Sequence, residues 1–137
     1  MESKTLTFVL MDPPFESARV STAMRMMDAA VEQGMNLNVF AYEGSVFLPF
    51  AHQKPHPNAM HGHDAAEEAH PLSKDWVAAL QKAAEAKGTK LDWVNCGLCV
   101  SERGATDCIP GIRLGSPADL VKFTEVSDNV LVIPTRG

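Results

Sequence analysis

The stretch "LDWVNCGLCVSERG", residues 91–104, joins a strand pattern directly to a helix pattern and decides the fold. Its first five residues are a short, mainly apolar run with β-forming side chains, which predicts a buried strand. Residues 97–103 contain no proline and are followed by Gly104, as expected for a short helix with a glycine after its last turn. We therefore predict that Cys96 lies where a strand ends and a helix begins.

The same alternation extends in both directions from this stretch. Strands are predicted at residues 5–11, 36–42, 91–95 and 129–134, and helices at residues 17–33, 73–87, 97–103 and 117–126. Strands that alternate with helices indicate a parallel sheet with right-handed crossovers, and 137 residues suit one domain. We therefore predict one α/β domain over residues 1–137. Sites in such sheets form beyond the carboxyl ends of the strands, which is where Cys96 lies.

Charge and composition narrow the classes of partner. The chain carries 12 basic and 17 acidic side chains, a formal net charge of −5, which argues against general binding to nucleic acid or to a membrane surface. No apolar run approaches the roughly 20 residues that span a bilayer, and the N-terminus does not resemble a signal peptide. We expect a soluble, cytoplasmic protein whose thiols stay reduced. Its three cysteines then indicate metal, catalytic or redox chemistry before a disulfide framework.

In a helix over residues 97–103, the side chains of Cys96, Cys99 and Arg103 share one stripe, because they are spaced i, i+3 and i+7. Near a helix N-terminus the amides and the dipole favour a thiolate, which is the form that attacks sulfane sulfur, and Arg103 adds positive charge. Four interpretations stay open from spacing alone: packed small hydrophobes, a Cys-x-x-Cys redox pair, a zinc site with Cys108 and a histidine, and a persulfide carrier. The early end of the helix at Gly104 counts against a thioredoxin-type pair. For zinc, the sequence lacks the usual second Cys-x-x-Cys or His-x-x-x-His pair of ligands.

The chain resembles the DsrE/TusD-type sulfur-relay proteins (the DsrE/DsrF-like group) in its first strand and helix, its second strand, "NCGLCVSERG" and "GSPADLVKFTEVSDNVLVI". The resemblance implies a flavodoxin-like parallel sheet with helices on both faces. It also implies that Cys96 carries a persulfide, with Cys99 as the second cysteine found in some relatives; Cys108 has no counterpart. Relatives pass sulfur between protein thiols and form trimers or hexamers, so we expect sulfur-donor and sulfur-acceptor proteins as partners, and a homo-oligomer.

A histidine- and proline-rich segment at residues 49–72 lies outside the family pattern. It contains all five histidines: His52, His56, His61, His63 and His70. Imidazoles at this density, with carboxylates beside them, suit a divalent transition metal, so the alternative function is a metal-binding module with or without the cysteines. The composition favours a solvated loop, and a lid that closes over Cys96 is a third interpretation that the sequence does not separate from a metal site.

No cofactor is expected. In a flavodoxin-like fold the loop after the first strand binds the flavin phosphate, but here residues 12–16 read "DPPFE". They lack the glycines and hydroxyl side chains that wrap a phosphate with backbone N–H groups. The sequence thus predicts sulfur trafficking, in which Cys96 accepts sulfane sulfur as a persulfide and delivers it to a partner thiol, assisted by Cys99 and Arg103. Calling such a carrier a sulfurtransferase enzyme stays open.

Overall fold

A computed structural model of the chain describes residues 3–55 and 71–135. Five strands and four α-helices alternate along these residues, with a short 3₁₀ helix after the second strand. In chain order they are β1 (Thr5–Leu10), α1 (Ala18–Glu32), β2 (Asn36–Ala41), the 3₁₀ helix (Glu43–Phe47), α2 (Ser73–Lys87), β3 (Leu91–Cys96), α3 (Gly97–Arg103), β4 (Ile112–Gly115), α4 (Pro117–Val126) and β5 (Asn129–Ile133).

The five strands form one parallel sheet in the order β4-β3-β2-β1-β5. The chain steps in one direction from β1 to β4 and then returns past β1 to add β5 on the other side. The strand order therefore switches between β1 and β5. Cys96, the last residue of β3, lies two strands from this switch, at the same carboxyl edge.

One face of the sheet, the α1/α2 face, holds the main core. Ser17 caps the N-terminus of helix α1, where its hydroxyl accepts a hydrogen bond from the Arg19 amide, and Gly88 caps the C-terminus of α2 in the left-handed conformation (φ 72°). Alternate strand residues point towards these helices and are fully buried. The buried side chains of this face are Phe8, Leu10, Val20, Ala23, Met24, Met27, Ala30, Val31, Leu37, Val39, Ala41, Leu48, Val77, Leu80, Ala84 and Trp93.

On the opposite face, the α4 face, helix α4 packs against β1 and β2. Helix α4 begins with a capping box between Ser116 and Asp119, and Phe123 is its one buried side chain. The buried cluster of this face is small and lies at the carboxyl half of the sheet: Val9, Phe40, Val94, Cys96 and Phe123. At the amino half of this face the strands carry polar side chains. Asn38 Nδ2 donates to Thr7 Oγ1 at 3.4 Å, and Arg113 donates two hydrogen bonds to the Asp92 carboxylate at 2.8 and 2.9 Å.

The predicted fold class is confirmed: the sheet is parallel and flavodoxin-like, within a single domain, and helices lie on both faces. The four predicted strands and four predicted helices are present within one or two residues. The count of strands was wrong, because β4 is a fifth strand. It is a four-residue edge strand that follows Pro110 and Gly111, so its apolar pattern is too short to predict a strand.

Among residues 3–55 and 71–135, no helix is both long and apolar enough to cross a bilayer.

Candidate functional site

Cys96 is the last residue of β3 and the N-cap of α3. Its side chain belongs to the α4-face cluster, against Phe40 and Val94, and only 8% of the residue is exposed. The strand positions it there because Val94 and Cys96 point to the same face, whereas Trp93 and Asn95 point to the other. The predicted place of Cys96, at the junction of strand and helix, is confirmed.

Cys99 lies one helical turn later, close enough to the Cys96 side chain for that thiol to affect its ionisation. Burial raises the pKa of the Cys99 thiol, the backbone N–H of Glu43 lowers it, Cys96 raises it through its hydrogen bond and its charge, and Arg103 lowers it. The net direction is upward. Because two like charges in contact disfavour each other, a negative charge on Cys96 keeps Cys99 protonated. Cys99 is therefore the thiol of the pair that resists ionisation.

The Glu43 amide reaches Cys99 through a constrained turn that follows β2. Glu43 has a positive φ of 50°, which non-glycine residues rarely adopt. A Cβ on Gly44 would lie 2.7 Å from Pro13 Cδ, so only glycine fits beside the loop after β1. Ser45 ties the turn to that loop, because its N–H donates to Met11 O at 3.1 Å and its hydroxyl to the Asp12 carbonyl at 2.6 Å. The turn holds a hydrogen-bond donor at the cysteine pair.

Arg103, the last residue of α3, is the third member of the predicted stripe. Its Nη1 lies 3.5 Å from the Cys99 carbonyl and 3.5 Å from Glu102 Oε2. Its charge is felt at the Cys99 sulfur, where it lowers the pKa, although it makes no direct contact with that sulfur. Tyr42 packs against the same cluster as Cys99. Burial, the charge of Glu43 and the charge of Cys99 raise the pKa of its phenol, which stays protonated.

Cys108 is placed away from this pair. Its sulfur accepts a hydrogen bond from Asn95 Nδ2 at 3.5 Å and donates to the Ala105 carbonyl at 3.6 Å. All three cysteines are free thiols. Within the described ranges, no three side chains of His, Cys, Asp or Glu are placed to hold a metal ion, so the three sulfurs do not form the zinc ligand set that spacing left open.

Of the predicted histidine ligands, the structure describes His52 alone. Its Nε2 lies 2.8 Å from Asp107 Oδ2, with both side chains well exposed, and its ring packs edge-on against Phe50. His56, His61, His63 and His70 lie outside the described residues, so a metal site built from them stays a prediction.

A cavity of about 670 Å³ opens beside the cysteine pair, past the carboxyl ends of β1 and β5. Its wall includes Asp12, Arg19, Glu43, Arg103 and Thr135. Neither Cys96 nor Cys99 lines it, but Glu43 and Arg103 contact Cys99 on one side and the cavity on the other.

Sequence reasoning missed several residues of this region. The loop after β1 was considered only as a flavin loop, and Tyr42, Glu43 and Arg19 were not considered as site residues. A signal was present, because the carboxyl ends of neighbouring parallel strands meet at one edge, and both "DPP" and "EG" directly follow strands there. The positive φ of Glu43 had no signal, since glutamate does not favour that conformation.

Comparison with known proteins identifies relatives over nearly the whole chain. An uncharacterized protein of Methanopyrus kandleri, MK0008, is 29% identical over 130 residues, which are 92% of this chain and 91% of that protein. An uncharacterized protein of Methanocaldococcus jannaschii, MJ0989, is 28% identical over 129 residues, covering 91% of this chain and 96% of that one.

Two solved structures share the fold. The YchN protein of E. coli superposes with a TM-score of 0.70 at 19% identity, over 96% of this chain and 99% of its own. A conserved protein of unknown function from Bacteroides thetaiotaomicron, BT1422, gives a TM-score of 0.57 at 14% identity and 95% coverage of both chains. The model of the DsrE/DsrF-like family matches residues 4–133, with the cysteine pair inside the match. The chain therefore belongs to the DsrE/DsrF-like family.

Proposed function

We propose that this protein is a persulfide carrier: Cys96 accepts sulfane sulfur and passes it to a thiol of a partner protein. Family membership is consistent with a sulfur-relay role. The observation that carries the proposal is the placement of Cys96, buried at the junction of β3 and α3 with a second thiol, Cys99, one helical turn later. A thiolate is the nucleophile for sulfur transfer, and a neighbouring thiol stabilises it.

Burial supports assigning the carrier role to Cys96 rather than to Cys99. A persulfide is a reactive anion that solvent and stray thiols consume, so a carrier benefits from shelter. Cys96 is 8% exposed among apolar side chains, whereas Cys99 is more accessible and nearer the surface. In this proposal Cys99 donates a hydrogen bond to the loaded sulfur, and the Glu43 amide and the Arg103 charge stabilise negative charge on the pair.

The partners follow from the surface beside the pair. Leu98 lies between the two cysteines in sequence and is 70% exposed. Elsewhere on the α4 face, Val121 and Val126 of α4 are also well exposed. Apolar side chains beside a reactive group favour docking of a protein that covers them. The same side chains also favour self-association. The homo-oligomer and the donor and acceptor proteins stay predictions. Light scattering of the purified chain measures the oligomer size.

Intact-protein mass spectrometry after incubation with inorganic polysulfide tests the proposal. We expect the wild type to gain the mass of one sulfur atom, reversibly on reduction, and the Cys96→Ser variant to gain none. Cys108→Ser is the matched control, because this third thiol is partly buried yet bonded elsewhere, and it should load as the wild type does. Loading that persists in Cys96→Ser, or a wild type that neither gains sulfur nor forms a Cys96–Cys99 disulfide, contradicts the proposal.

Cys99→Ser separates two roles for the second cysteine. A serine hydroxyl still donates a hydrogen bond to Cys96, so loading should continue if Cys99 acts as a donor only. If Cys99 instead resolves the persulfide to a disulfide, wild type will accumulate a form lighter by two hydrogens, and Cys99→Ser will not.

A further inference from the structure

The cavity beside the cysteine pair occupies the place where open α/β sheets bind small molecules. It lies past the carboxyl end of β1, where the strand order switches between β1 and β5, and is lined from both sides of the switch by Asp12 and Thr135. Crevices at such switch points are the usual ligand sites of these sheets, because the loops on either side diverge there. At about 670 Å³ it has room for a small peptide or a modified amino acid.

Asp12 supplies an anionic recognition point in this cavity. It is only 8% exposed, so its carboxylate is a largely desolvated charge. Both of its close side-chain contacts fall on one oxygen: Ser17 Oγ donates to Oδ2 at 2.7 Å, and Arg19 Nη1 lies 3.6 Å from Oδ2. Among the described residues, this arrangement leaves Oδ1 available to a further donor. A carboxylate oxygen in the wall of a cavity is well matched by a charged N–H group, such as an ammonium.

Arg19 and Arg103 supply the complementary cationic points. Arg19 is held by Asp12 at a distance longer than a good hydrogen bond, and its guanidinium has five N–H donors, so most of them remain for a ligand. Arg103 lines the same cavity from α3 and has a single carboxylate contact, to Glu102 at 3.5 Å. Guanidinium groups bind carboxylates with paired hydrogen bonds.

The lining also includes the carboxylates of Glu16 and Glu43, so the cavity presents both anionic and cationic side chains. Charges of both signs in one cavity suit a ligand that carries both signs itself, a zwitterion. An α-amino acid presents an ammonium and a carboxylate on one carbon, the pair that Asp12 and the arginines would bind together. Glu43 and Arg103 connect this cavity to Cys99, so a ligand held here by its amino-acid end would extend its other end towards the sulfurs.

We propose that the cavity binds the α-amino-acid end of a low-molecular-weight persulfide, the class that includes the persulfides of cysteine and glutathione, and so selects the sulfur donor. This inference rests on the proposed carrier function of Cys96. The Cys96 thiolate attacks the outer sulfur of R–S–SH. A new S–S bond forms on Cys96, the S–S bond of the donor breaks, and R–S⁻ leaves and takes a proton from water, with no net oxidation.

The test compares donors that differ in the amino-acid end. The rate of sulfur loading on Cys96 is measured by intact-protein mass spectrometry against concentration for cysteine persulfide, glutathione persulfide, the persulfide of mercaptopropionate and inorganic polysulfide. Mercaptopropionate keeps the carboxylate and lacks the ammonium. We expect one or both of the amino-acid donors to load Cys96 at lower donor concentration than the other two donors do. Whether cysteine persulfide or glutathione persulfide loads better tells which size of donor molecule the cavity fits.

Arg19→Gln is the matching variant, and Arg25→Gln on the exposed side of the same helix is its control. Arg19→Gln should lower loading efficiency by about tenfold with the amino-acid donors, as expected for one lost charge-assisted pair, and leave polysulfide loading unchanged. Arg19→Lys should restore part of the loss. Arg25→Gln should behave as the wild type with every donor.

The outcomes separate this inference from the proposed function. Equal loading efficiency with all four donors, or equal effects of Arg19→Gln on all of them, overturns the amino-acid site while the carrier role stands. Failure of the wild type to load from inorganic polysulfide overturns the carrier role itself.

Discussion

The two faces of the sheet differ in what they bury and in what they leave open. On the α1/α2 face the described residues include sixteen buried apolar side chains in one continuous cluster, against five on the α4 face. The α4 face has a polar amino half, the cysteine pair at its carboxyl end, and exposed apolar side chains on α4. The comparison indicates that one face supplies most of the stability, so that the other can carry a reactive group.

The largest effect expected is on the α1/α2 face. Phe8 of β1 is fully buried there, and its replacement in Phe8→Ala leaves a cavity that the surrounding helices cannot fill. We expect the free energy of unfolding to fall by about 3–5 kcal/mol. Chemical denaturation followed by circular dichroism measures this loss.

The same substitution on the α4 face should cost less. Phe123 is 6% exposed and belongs to the smaller cluster, next to exposed side chains, so the site in Phe123→Ala can relax and admit water. We expect a loss of about 2 kcal/mol in the free energy of unfolding. An equal or larger loss than in Phe8→Ala would show that the two faces contribute equally, against the comparison above.

The turn beside the cysteine pair allows a sharper test. In Gly44→Ala the new Cβ overlaps Pro13, which should cost about 1–3 kcal/mol of stability and displace the Glu43 amide from Cys99. Since that amide lowers the pKa of Cys99, the pH profile of Cys99 alkylation should move to higher pH. Gly97→Ala is the control: its Cβ would lie at an ordinary 3.5 Å from the Gly115 carbonyl, so stability and profile should stay close to wild type.

The smallest effect on stability, and the most local, concerns the coupling of the two thiols. In Cys96→Ala the hydrogen bond and the charge of Cys96 no longer raise the pKa of Cys99, while burial still does. The alkylation profile of Cys99 should therefore shift to lower pH, measured by peptide mass spectrometry after labelling at a series of pH values. Cys108 is an internal control, because burial and Asp107 raise its pKa, Asn95 lowers it, and Cys96 plays no part. A Cys99 profile that does not move contradicts the coupling.

The directions of these pKa shifts also determine how the stability of the protein changes with pH. For Cys99, Cys108 and Tyr42 the pKa is raised in the folded chain, so their unfolded forms ionise first as the pH rises. Any stability linked to them is complete below the ordinary thiol and phenol range and is lost above it.

Strong local patterns predicted most of the fold. Helices α1, α2 and α4 were predicted from apolar spacing and end signals such as Ser17, Gly88 and Ser116-Pro117, and the structure has each of them. The edge strand β4 was not predicted, because it consists of four residues and becomes a strand only through its pairing with β3. Local propensity cannot report a pairing partner that is distant in the chain.

The candidate site, like the fold, could be predicted from the sequence only in part. The positions of Cys96 and Cys99 followed from the sequence, because a strand that runs directly into a helix fixes both residues within one turn. The roles of Glu43, Asp12 and Arg19 did not follow, since each depends on which strands are neighbours at the carboxyl edge.

By itself the sequence determined that this chain is a parallel α/β domain with two cysteines at a strand end, because periodicity, caps and short-range spacing are local properties. Only the tertiary structure decided which loops meet there. The strand order places the turn after β2 against Cys99 and the loop after β1 at the switch beside β5. Contacts between residues far apart in the chain bury the two thiols, bring the Glu43 amide to Cys99 and form the charged cavity, and such contacts exist only once the sheet has assembled.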